Sequence, residues 1–234
     1  MGKKMWLIWK DPKTRQRYKI AVLSENKNSY TFSYISDIKE AKKRGFDFFP
    51  GFDEIDKKYS EKELFTNIKG RLPNKARPDY KKILESYGLN ENSTDMQILE
   101  KTRGRLRTND FEFVAPFKDN FIEFDVAGTR YQDDIKKCKD KLKVGDTLLL
   151  KPEKENKQDK NAILILYDEK INYRIGYVPR YYSEQLSKIL KQARKYCAKI
   201  SKLNLEEQGN EIVTVEIEIE SSQKDSQNWE PFCI

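Results

Sequence analysis

The apolar residues of this chain occur in short runs, and this feature limits what the chain can fold into. The longest uninterrupted runs cover residues 5–9 and 162–167. Runs of this length fit buried β-strands, whereas a membrane-spanning helix needs about 20 apolar residues. The first residues also lack the apolar core of a signal peptide. We therefore expect a soluble cytoplasmic protein that is built on short strands and has no membrane partner.

Histidine is absent from all 234 residues, which removes several classes of enzyme. Ser-His-Asp and Cys-His nucleophile systems, HExxH zinc proteases, HxE zinc deaminases and the HRD loop of protein kinases all need an imidazole. The three cysteines, Cys138, Cys197 and Cys233, are odd in number and far apart. This spacing predicts neither a CxxC metal site nor a disulfide framework, and it fits a reducing cytoplasm. We expect no bound metal and no cofactor.

The net charge of +8 is distributed unevenly along the chain. Residues 1–118 carry a net charge of +9, residues 119–203 carry +6, and residues 204–234 carry −7. Basic surfaces favour polyanionic partners, chiefly nucleic acid. A solvated surface that only keeps the protein soluble is the other interpretation, and charge alone leaves both open.

The first half has the pattern of a small α+β domain. Aromatic and β-branched residues separated by turn-forming residues predict a three-stranded meander over residues 5–10, 18–23 and 29–34. Capping residues such as Asp37, Ser60 and Thr94 predict short helices after it. The predicted helices cover residues 38–44, 64–69, 79–87 and 94–99, and residues 111–115 return to extended structure.

The second half has the pattern of a small, partly open barrel. Short apolar or alternating segments predict five or six strands, and Pro179 precedes a segment with helical spacing at residues 183–196. Strands with helical cover suggest an OB-like β-barrel. The predicted strands cover residues 121–127, 147–150, 162–167, 173–178, 197–203 and 212–219. We therefore predict an α+β protein with domains at residues 1–118 and 119–234.

Three clusters of polar and aromatic residues lie at predicted strand boundaries in the second half. The strands of a barrel bring loop residues to one rim. There, an arginine can bind phosphate, a tyrosine can stack on a base, and an aspartate can accept a hydrogen bond from a sugar hydroxyl. Taken singly, the residues also fit structural roles, because glycine, asparagine and aspartate form turns and proline begins helices. The clusters are Gly128-Thr129-Arg130-Tyr131, Asn156-Lys157-Gln158-Asp159-Lys160-Asn161-Ala162-Ile163 and Ile175-Gly176-Tyr177-Val178-Pro179-Arg180.

The order of these clusters resembles the pattern of the HIRAN domain over about residues 119–220. The family pattern also has a K-x-G-D-like turn between the first two clusters, which is Lys143-Val144-Gly145-Asp146 in this chain. The resemblance implies an OB-like barrel with helical cover that binds single-stranded DNA and recognises a free 3′-hydroxyl end. It implies no catalytic residue.

The resemblance also implies which residues contact DNA. Arg130 and Tyr131 would contact the terminal nucleotides, and Asn156 and Asp159 would line the pocket for the terminal sugar. Tyr177 and Arg180 would meet the flanking base and phosphate. Gln158 departs from the family pattern, because DNA-binding relatives have an aromatic residue at that position, and one stacking surface is therefore missing.

The first half resembles the N-terminal subdomain of HipA-type toxin kinases over about residues 5–117. The resemblance implies a surface that docks on a kinase, although nothing in this chain resembles the kinase core. A plain α+β scaffold that positions the second domain is the alternative interpretation. The residues that carry the resemblance are Phe49-Pro50-Gly51-Phe52, Tyr59-Ser60, Leu64-Phe65, Arg71-Leu72-Pro73-Asn74, Arg77-Pro78-Asp79 and Gly104-Arg105-Leu106.

Two functions follow as hypotheses. The first is a non-catalytic protein that binds single-stranded DNA or DNA ends through the second domain, with help from the basic first domain. The second is an interaction or antitoxin-like subunit of a HipA-type kinase system. Its partners would be a HipA-like kinase or a DNA-processing enzyme. An enzyme is disfavoured, because no PD-(D/E)xK-like arrangement lies on a predicted core strand.

Overall fold

The chain divides into two units, Met1–Pro116 and Phe117–Ile234. The computed structural model describes residues 2–117, 120–168, 170–191, 193–205, 212–221 and 230–231. Cys233 and much of the acidic C-terminal stretch lie outside the described residues.

The first unit is organised around a five-stranded antiparallel sheet with the order β4-β3-β2-β1-β5. The meander predicted from the sequence is confirmed, since β1, β2 and β3 are consecutive neighbours. Strand β4 was not predicted, and it lies at the edge of the sheet. The strands are β1 Lys4–Lys10, β2 Arg17–Glu25, β3 Tyr30–Tyr34, β4 Tyr59–Glu61 and β5 Phe111–Val114.

Four short helices accompany this sheet, and the helix start predicted at Thr94 is confirmed, with a capping box formed by Thr94 and Gln97. The Thr94 hydroxyl accepts a hydrogen bond from the Gln97 amide, while the Gln97 side chain accepts one from the Thr94 amide. The Asp37 side chain makes no cap hydrogen bond, and Ser60 lies in β4 rather than before a helix. The helices are α1 Ile38–Lys43, α2 Thr66–Lys69, α3 Tyr80–Ser86 and α4 Asp95–Thr102.

The core of the first unit is aromatic. Phe32 is fully buried and packs against the rings of Phe49 and Phe52, with centroid distances of 6.0 Å and 3.9 Å. Burial of each such ring contributes roughly 1.5–3 kcal/mol to folding. The Tyr34 hydroxyl donates to the Phe52 carbonyl at 2.7 Å, so the buried polar group is satisfied.

The second unit contains two antiparallel three-stranded assemblies, one of which is extended by a short parallel strand. The sheets have the orders β12-β10-β11-β6 and β7-β8-β9. The strands are β6 Phe121–Asp125, β7 Leu148–Pro152, β8 Ile163–Tyr167, β9 Tyr173–Tyr177, β10 Ala193–Leu203, β11 Val213–Ser221 and β12 Glu230–Pro231. The helices are α5 Asp134–Cys138 and α6 Arg180–Leu190, and 3₁₀ turns cover Thr129–Tyr131 and Lys139–Lys141.

The OB-like barrel predicted from the sequence is not closed within the described residues. Isolated bridges pair Ala127 with Tyr177 and Thr147 with Lys199, so each pair of sheet edges meets at one point rather than along a ladder. Shortly after β6, Gly128 adopts a φ of 72° and the chain enters the 3₁₀ turn Thr129–Tyr131, so β6 does not extend into a ladder with β9. The unit is therefore a mixed α+β fold in which two isolated bridges link the two sheets within the described residues.

Helix α6 differs from its prediction at both ends. It begins at Arg180, directly after Pro179, and ends at Leu190. The residues from Ala193 onwards, which continue the helical spacing in the sequence, belong to β10. Pairing of β10 with β11 along its whole length replaces the helix there, because a ladder of long-range hydrogen bonds outweighs a weak local preference.

Two further expectations concern location. Within the part of the chain that the structure describes, no helix is long and apolar enough to cross a membrane. Cys138 is a buried free thiol. Location in the cytoplasm stays a prediction.

Candidate functional site

The first cluster begins with a turn that exposes an arginine and a tyrosine. The positive φ of Gly128 starts the 3₁₀ turn, and buried Thr129 donates from its hydroxyl to the Val126 carbonyl at 3.3 Å. Arg130 and Tyr131 therefore point away from the core, and Tyr131 is 67% exposed. The guanidinium carbon of Arg130 lies 4.5 Å from the centre of the Tyr131 ring, and the guanidinium also donates to the Tyr131 hydroxyl. The two side chains form one exposed cationic and aromatic surface.

The third cluster is held against the first by a close backbone contact. The amides and carbonyls of Ala127 and Tyr177 exchange two hydrogen bonds of 2.8 Å each. Gly176 makes this approach possible, because a Cβ atom there would lie 2.4 Å from Val126 Cγ1 and 2.6 Å from the Ala127 carbonyl oxygen. The φ of Gly176 is 145°, a conformation that residues with a side chain rarely adopt.

Tyr177 and Asn156 meet on a carboxylate that the sequence did not single out. The Tyr177 hydroxyl donates to Glu153 Oε2 at 2.8 Å, and the Asn156 amide donates to the same oxygen at 2.8 Å. Arg174 donates to Glu153 Oε1 at 2.9 Å and to the Tyr177 hydroxyl at 2.8 Å. Glu153 follows β7 directly and Arg174 lies on β9, so this network joins the two outer strands of the sheet.

The ionisation of this network follows from its hydrogen bonds. The Asn156 amide, with help from Tyr177 and Arg174, holds the pKa of the Glu153 carboxyl below its usual value despite partial burial. Burial and the neighbouring Glu153 carboxylate raise the pKa of the Tyr177 hydroxyl. The hydrogen bond to Glu153 raises the pKa of Arg174. At neutral pH the network thus holds a carboxylate, a guanidinium and a neutral phenol.

Asn156 also shapes the loop between β7 and β8. Its side-chain oxygen accepts hydrogen bonds from the backbone amides of Gln158 at 3.0 Å and Asp159 at 3.1 Å. This is an Asx turn, in which asparagine replaces a backbone acceptor. The oxygen and the nitrogen of the Asn156 side chain therefore both make hydrogen bonds at this loop, and Gln158 is exposed beside it.

Asp159 joins this loop to helix α6. Its Oδ2 accepts a hydrogen bond of 2.5 Å from the Ser183 hydroxyl, and its Oδ1 accepts one of 2.9 Å from the Asn161 amide. Ser183 is buried in the first turn of α6, so the contact fixes the loop relative to the helix. Arg180 is exposed at the first position of the same helix, and its guanidinium makes no hydrogen bond or ion pair with the described residues.

The structure brings some of the predicted residues together and leaves others apart. Asn156 and Tyr177 share Glu153, and Arg130 contacts Tyr131. Gln132, which follows the Arg130–Tyr131 pair, accepts a hydrogen bond of 3.4 Å from Arg174 and so connects that turn to the network. Asp159 instead contacts α6, and Arg180 contacts none of the other predicted residues. Sequence reasoning missed Glu153, Arg174 and Ser183.

The arrangement offers the chemistry of recognition. An exposed guanidinium can bind phosphate, and an exposed phenol ring can stack on a base. Carboxylate or amide oxygens can accept a hydrogen bond from a hydroxyl group. Three exposed lysines, Lys154, Lys157 and Lys160, add positive charge to the loop between β7 and β8. Among the described residues, no group of three or more cysteine, aspartate or glutamate side chains could hold a metal ion.

Comparison with known proteins supports one half of the sequence interpretation. Residues 119–219 match the family model of the HIRAN domain. Among solved structures, the chain is similar to the HIRAN domain of human HLTF, with 16% identity, coverage of 43% of this chain and 74% of that chain, and a TM-score of 0.34. It is also similar to a protein from Lactobacillus plantarum, with 28% identity, coverage of 42% of this chain and 96% of that chain, and a TM-score of 0.34. A search of curated proteins finds no match.

The matched residues lie within the second unit. The resemblance of residues 1–118 to HipA-type kinases, and with it a HipA-like kinase as a partner, therefore stays a prediction.

Proposed function

Because residues 119–219 form a HIRAN domain, we propose that this chain is a non-catalytic protein that binds single-stranded DNA or DNA ends with a free 3′-hydroxyl. The observation that carries this proposal is the exposed Arg130–Tyr131 pair beside the network on Glu153. An exposed tyrosine ring with a cation against it can stack on an unpaired base while the cation binds the neighbouring phosphate. Proteins that bind single strands without reading their sequence use such contacts.

Each predicted contact residue has a separate task in this proposal. Arg130 and Arg180 bind phosphate oxygens, and Tyr131 stacks on a base. Asn156 and Asp159 shape the loop that faces the terminal sugar. Tyr177 supports this surface by its hydroxyl bond to Glu153 and its backbone pairing with Ala127.

The network on Glu153 acts as a support for the site rather than as a contact. Its carboxylate holds Tyr177 and Asn156, which belong to different elements of the chain. Arg174 balances the charge of that carboxylate, so the network adds no net charge that would repel DNA. Side chains that are fixed before binding lose less conformational entropy when the ligand arrives.

Replacing Arg130 or Tyr131 by alanine is expected to weaken binding of single-stranded DNA about tenfold. One phosphate contact is lost in the first variant, and one stacking surface worth roughly 1–3 kcal/mol is lost in the second. Fluorescence anisotropy with a labelled single strand at low salt measures the change. Both side chains are exposed, so the melting temperature should stay close to that of the parent.

Two control variants separate this site from general effects of charge and apolar surface. Lys170→Ala removes an exposed positive charge between β8 and β9, and Phe121→Ala removes an aromatic side chain that is 42% exposed on β6. Both should bind DNA like the parent. Parent-like binding by the Arg130 and Tyr131 variants would place the site elsewhere, and no binding by the parent at low salt would refute the DNA proposal.

The parent is expected to bind a strand that ends in a 3′-hydroxyl several-fold more tightly than the same strand ending in a 3′-phosphate. A terminal phosphate adds negative charge near Asp159, whose carboxylate is not paired with a cation among the described residues. Competition anisotropy with two unlabelled strands of one sequence gives the ratio of affinities. Asp159→Asn should reduce this ratio, because it removes this repelling charge. Equal affinities for the two strands would exclude end recognition and leave only binding along the strand.

A further inference from the structure

Positive charge is concentrated at one end of the sheet in the first unit. The β1–β2 turn with its flanking residues (10–17), Arg44 at the end of α1 and the segment from Arg103 to Glu112 together carry eight basic and three acidic residues. We call this surface the basic end. Its basic residues are Lys10, Lys13, Arg15, Arg17, Arg44, Arg103, Arg105 and Arg107, and its acidic residues are Asp11, Asp110 and Glu112.

Hydrogen bonds and ring contacts bring these three segments together. The Lys10 amide donates to the Asp110 carbonyl at 2.8 Å, which brings the loop before β5 to the β1–β2 turn. Arg15 also contacts the Asp110 carboxylate at 3.4 Å. Burial raises the pKa of the Asp11 carboxyl, but hydrogen bonds from Thr14 and the backbone, with the positive charge of Arg44, hold it below its usual value. The Phe46 ring, two residues after Arg44, lies 5.3 Å from the Trp9 ring on β1 and 6.2 Å from the Phe111 ring on β5, so the end of α1 is near the turn as well.

The acidic residues of the basic end are used inside the fold. Asp11 is 1% exposed, and it accepts hydrogen bonds from the Thr14 hydroxyl at 2.5 Å and the Lys13 amide at 2.9 Å. Glu112 is 6% exposed and pairs with Arg17 at 3.3 Å and Arg105 at 2.5 Å. Within the described residues, neither carboxylate forms an ion pair with Lys13, Arg44 or Arg107.

Three exposed cations of the basic end, one on each of its three segments, form no ion pair with the described residues. The side chains of Lys13, Arg44 and Arg107 make no hydrogen bond or ion pair with any residue that the structure describes. Several other exposed cations of the first unit are neutralised by a neighbour. The pairs are Lys43–Glu40 at 2.7 Å, Lys57–Glu54 at 2.6 Å, Lys69–Glu63 at 2.7 Å and Arg77–Asp79 at 2.8 Å.

We propose that the basic end is a second nucleic-acid contact, which binds the phosphate backbone and reads neither sequence nor strand end. The inference rests on the proposed function of the second unit, because DNA held there keeps its backbone at a high local concentration for the first unit. Two of the three uncommitted cations are arginines, whose planar guanidinium matches the oxygens of a phosphate. Phosphates recur along a strand at regular spacing, so one ligand can satisfy cations on three separate segments.

The triple variant Lys13→Gln, Arg44→Gln, Arg107→Gln tests this inference. Loss of three phosphate contacts should weaken binding of single-stranded DNA about tenfold at low salt and reduce the slope of log affinity against log salt by about 2. The loss should be the same for strands that end in 3′-hydroxyl and 3′-phosphate. The matched control Lys27→Gln, Lys81→Gln, Lys82→Gln removes the same charge from exposed positions in the β2–β3 turn and on α3, and it should leave both quantities close to the parent.

The outcomes separate this inference from the proposed function. Absence of DNA binding by the parent refutes both. DNA binding by the triple variant with the affinity and salt slope of the parent refutes the basic end alone, as does an equal loss in the control. Poly-L-glutamate serves as a second probe in place of DNA. If the triple variant loses affinity for poly-L-glutamate but keeps its affinity for DNA, the surface binds an acidic protein and the inference is wrong.

Discussion

Replacing Gly176 by alanine is expected to lower the free energy of unfolding of the second unit by about 3–5 kcal/mol. The new Cβ would lie 2.4 Å from Val126 Cγ1 and 2.6 Å from the Ala127 carbonyl oxygen, both well inside normal contact distance. The carbonyl cannot retreat without breaking its hydrogen bond to the Tyr177 amide. The φ of 145° adds backbone strain that glycine avoids.

Differential scanning calorimetry of the parent and the variant measures this effect. Gly145→Ala is the matched control, because Gly145 also has a positive φ, of 91°, but no atom lies within 4 Å of its added Cβ. The free energy of unfolding of that variant should fall only by the contribution of backbone strain, about 1–2 kcal/mol. Equal losses in the two variants would show that backbone strain alone explains Gly176 and that close approach does not.

The Gly176 contact explains why a glycine precedes the tyrosine of the third cluster. The bridge between Ala127 and Tyr177 is one of the two points at which the sheets of this unit meet. It also fixes the strand that carries both Arg174 and Tyr177, and hence the network on Glu153. A partly folded Gly176→Ala protein should therefore lose DNA binding although no contact residue has changed.

Strands were predictable where their side-chain pattern is determined by burial. Residues of β8 are apolar throughout because β8 lies between β7 and β9 and is buried along nearly its whole length. In β11, buried Val215 and Ile217 alternate with outward glutamates such as Glu216 and Glu218, which gives the period of two. Both patterns are local, so the sequence alone was enough to predict these two strands.

Capping residues were less reliable because distant pairing can override them. The spacing of Thr94 and Gln97 forms a capping box at the start of α4. Ser60 and Glu63 have the same spacing, but Ser60 pairs with Thr31 in the ladder between β3 and β4. Short capping signals stabilise a helix by only about 1 kcal/mol, which a strand pairing can outweigh.

The candidate site was predictable only in its local parts. Arg130 and Tyr131 are adjacent in sequence, and their exposure follows from the glycine turn before them. Glu153 and Arg174 are 21 residues apart, and they meet because β7 and β9 flank the same strand. The bond between Asp159 and Ser183 likewise depends on where α6 packs. Sheet order and helix packing are not visible in spacing, so these partners could not be inferred.

Replacing Glu112 by glutamine is expected to lower the free energy of unfolding of the first unit by about 3–5 kcal/mol at neutral pH. The side chain of Arg17 is 7% exposed and lies 3.3 Å from the Glu112 carboxylate. Arg105 and Arg103 approach the same carboxylate at 2.5 Å and 4.0 Å. Glutamine keeps the size of the side chain but leaves a buried guanidinium without a counter-charge. An unpaired buried charge destabilises the fold far more than an intact buried ion pair does.

Urea unfolding in a Trp229→Phe background, followed by the fluorescence of Trp6 and Trp9 on β1, measures the stability of this unit. Glu61→Gln is the control, because Glu61 is exposed on β4 and its change should alter stability by less than about 0.5 kcal/mol. Equal losses in the two variants would show that the burial of Glu112 among arginines has no special role.

The pH dependence of the same measurement identifies the cause. Burial raises the pKa of the Glu112 carboxyl, but the charges of Arg105, Arg17 and Arg103 outweigh burial and hold the pKa below its usual 4.5. A carboxyl whose pKa is lower in the folded than in the unfolded state stabilises the fold above the unfolded pKa. This stabilisation disappears as the pH falls through the folded pKa. The parent should therefore lose stability on acidification, and its advantage over Glu112→Gln should shrink below about pH 4.5. A difference between parent and variant that stays constant from neutral pH to about pH 3 would show that shape, and not charge, makes Glu112 necessary.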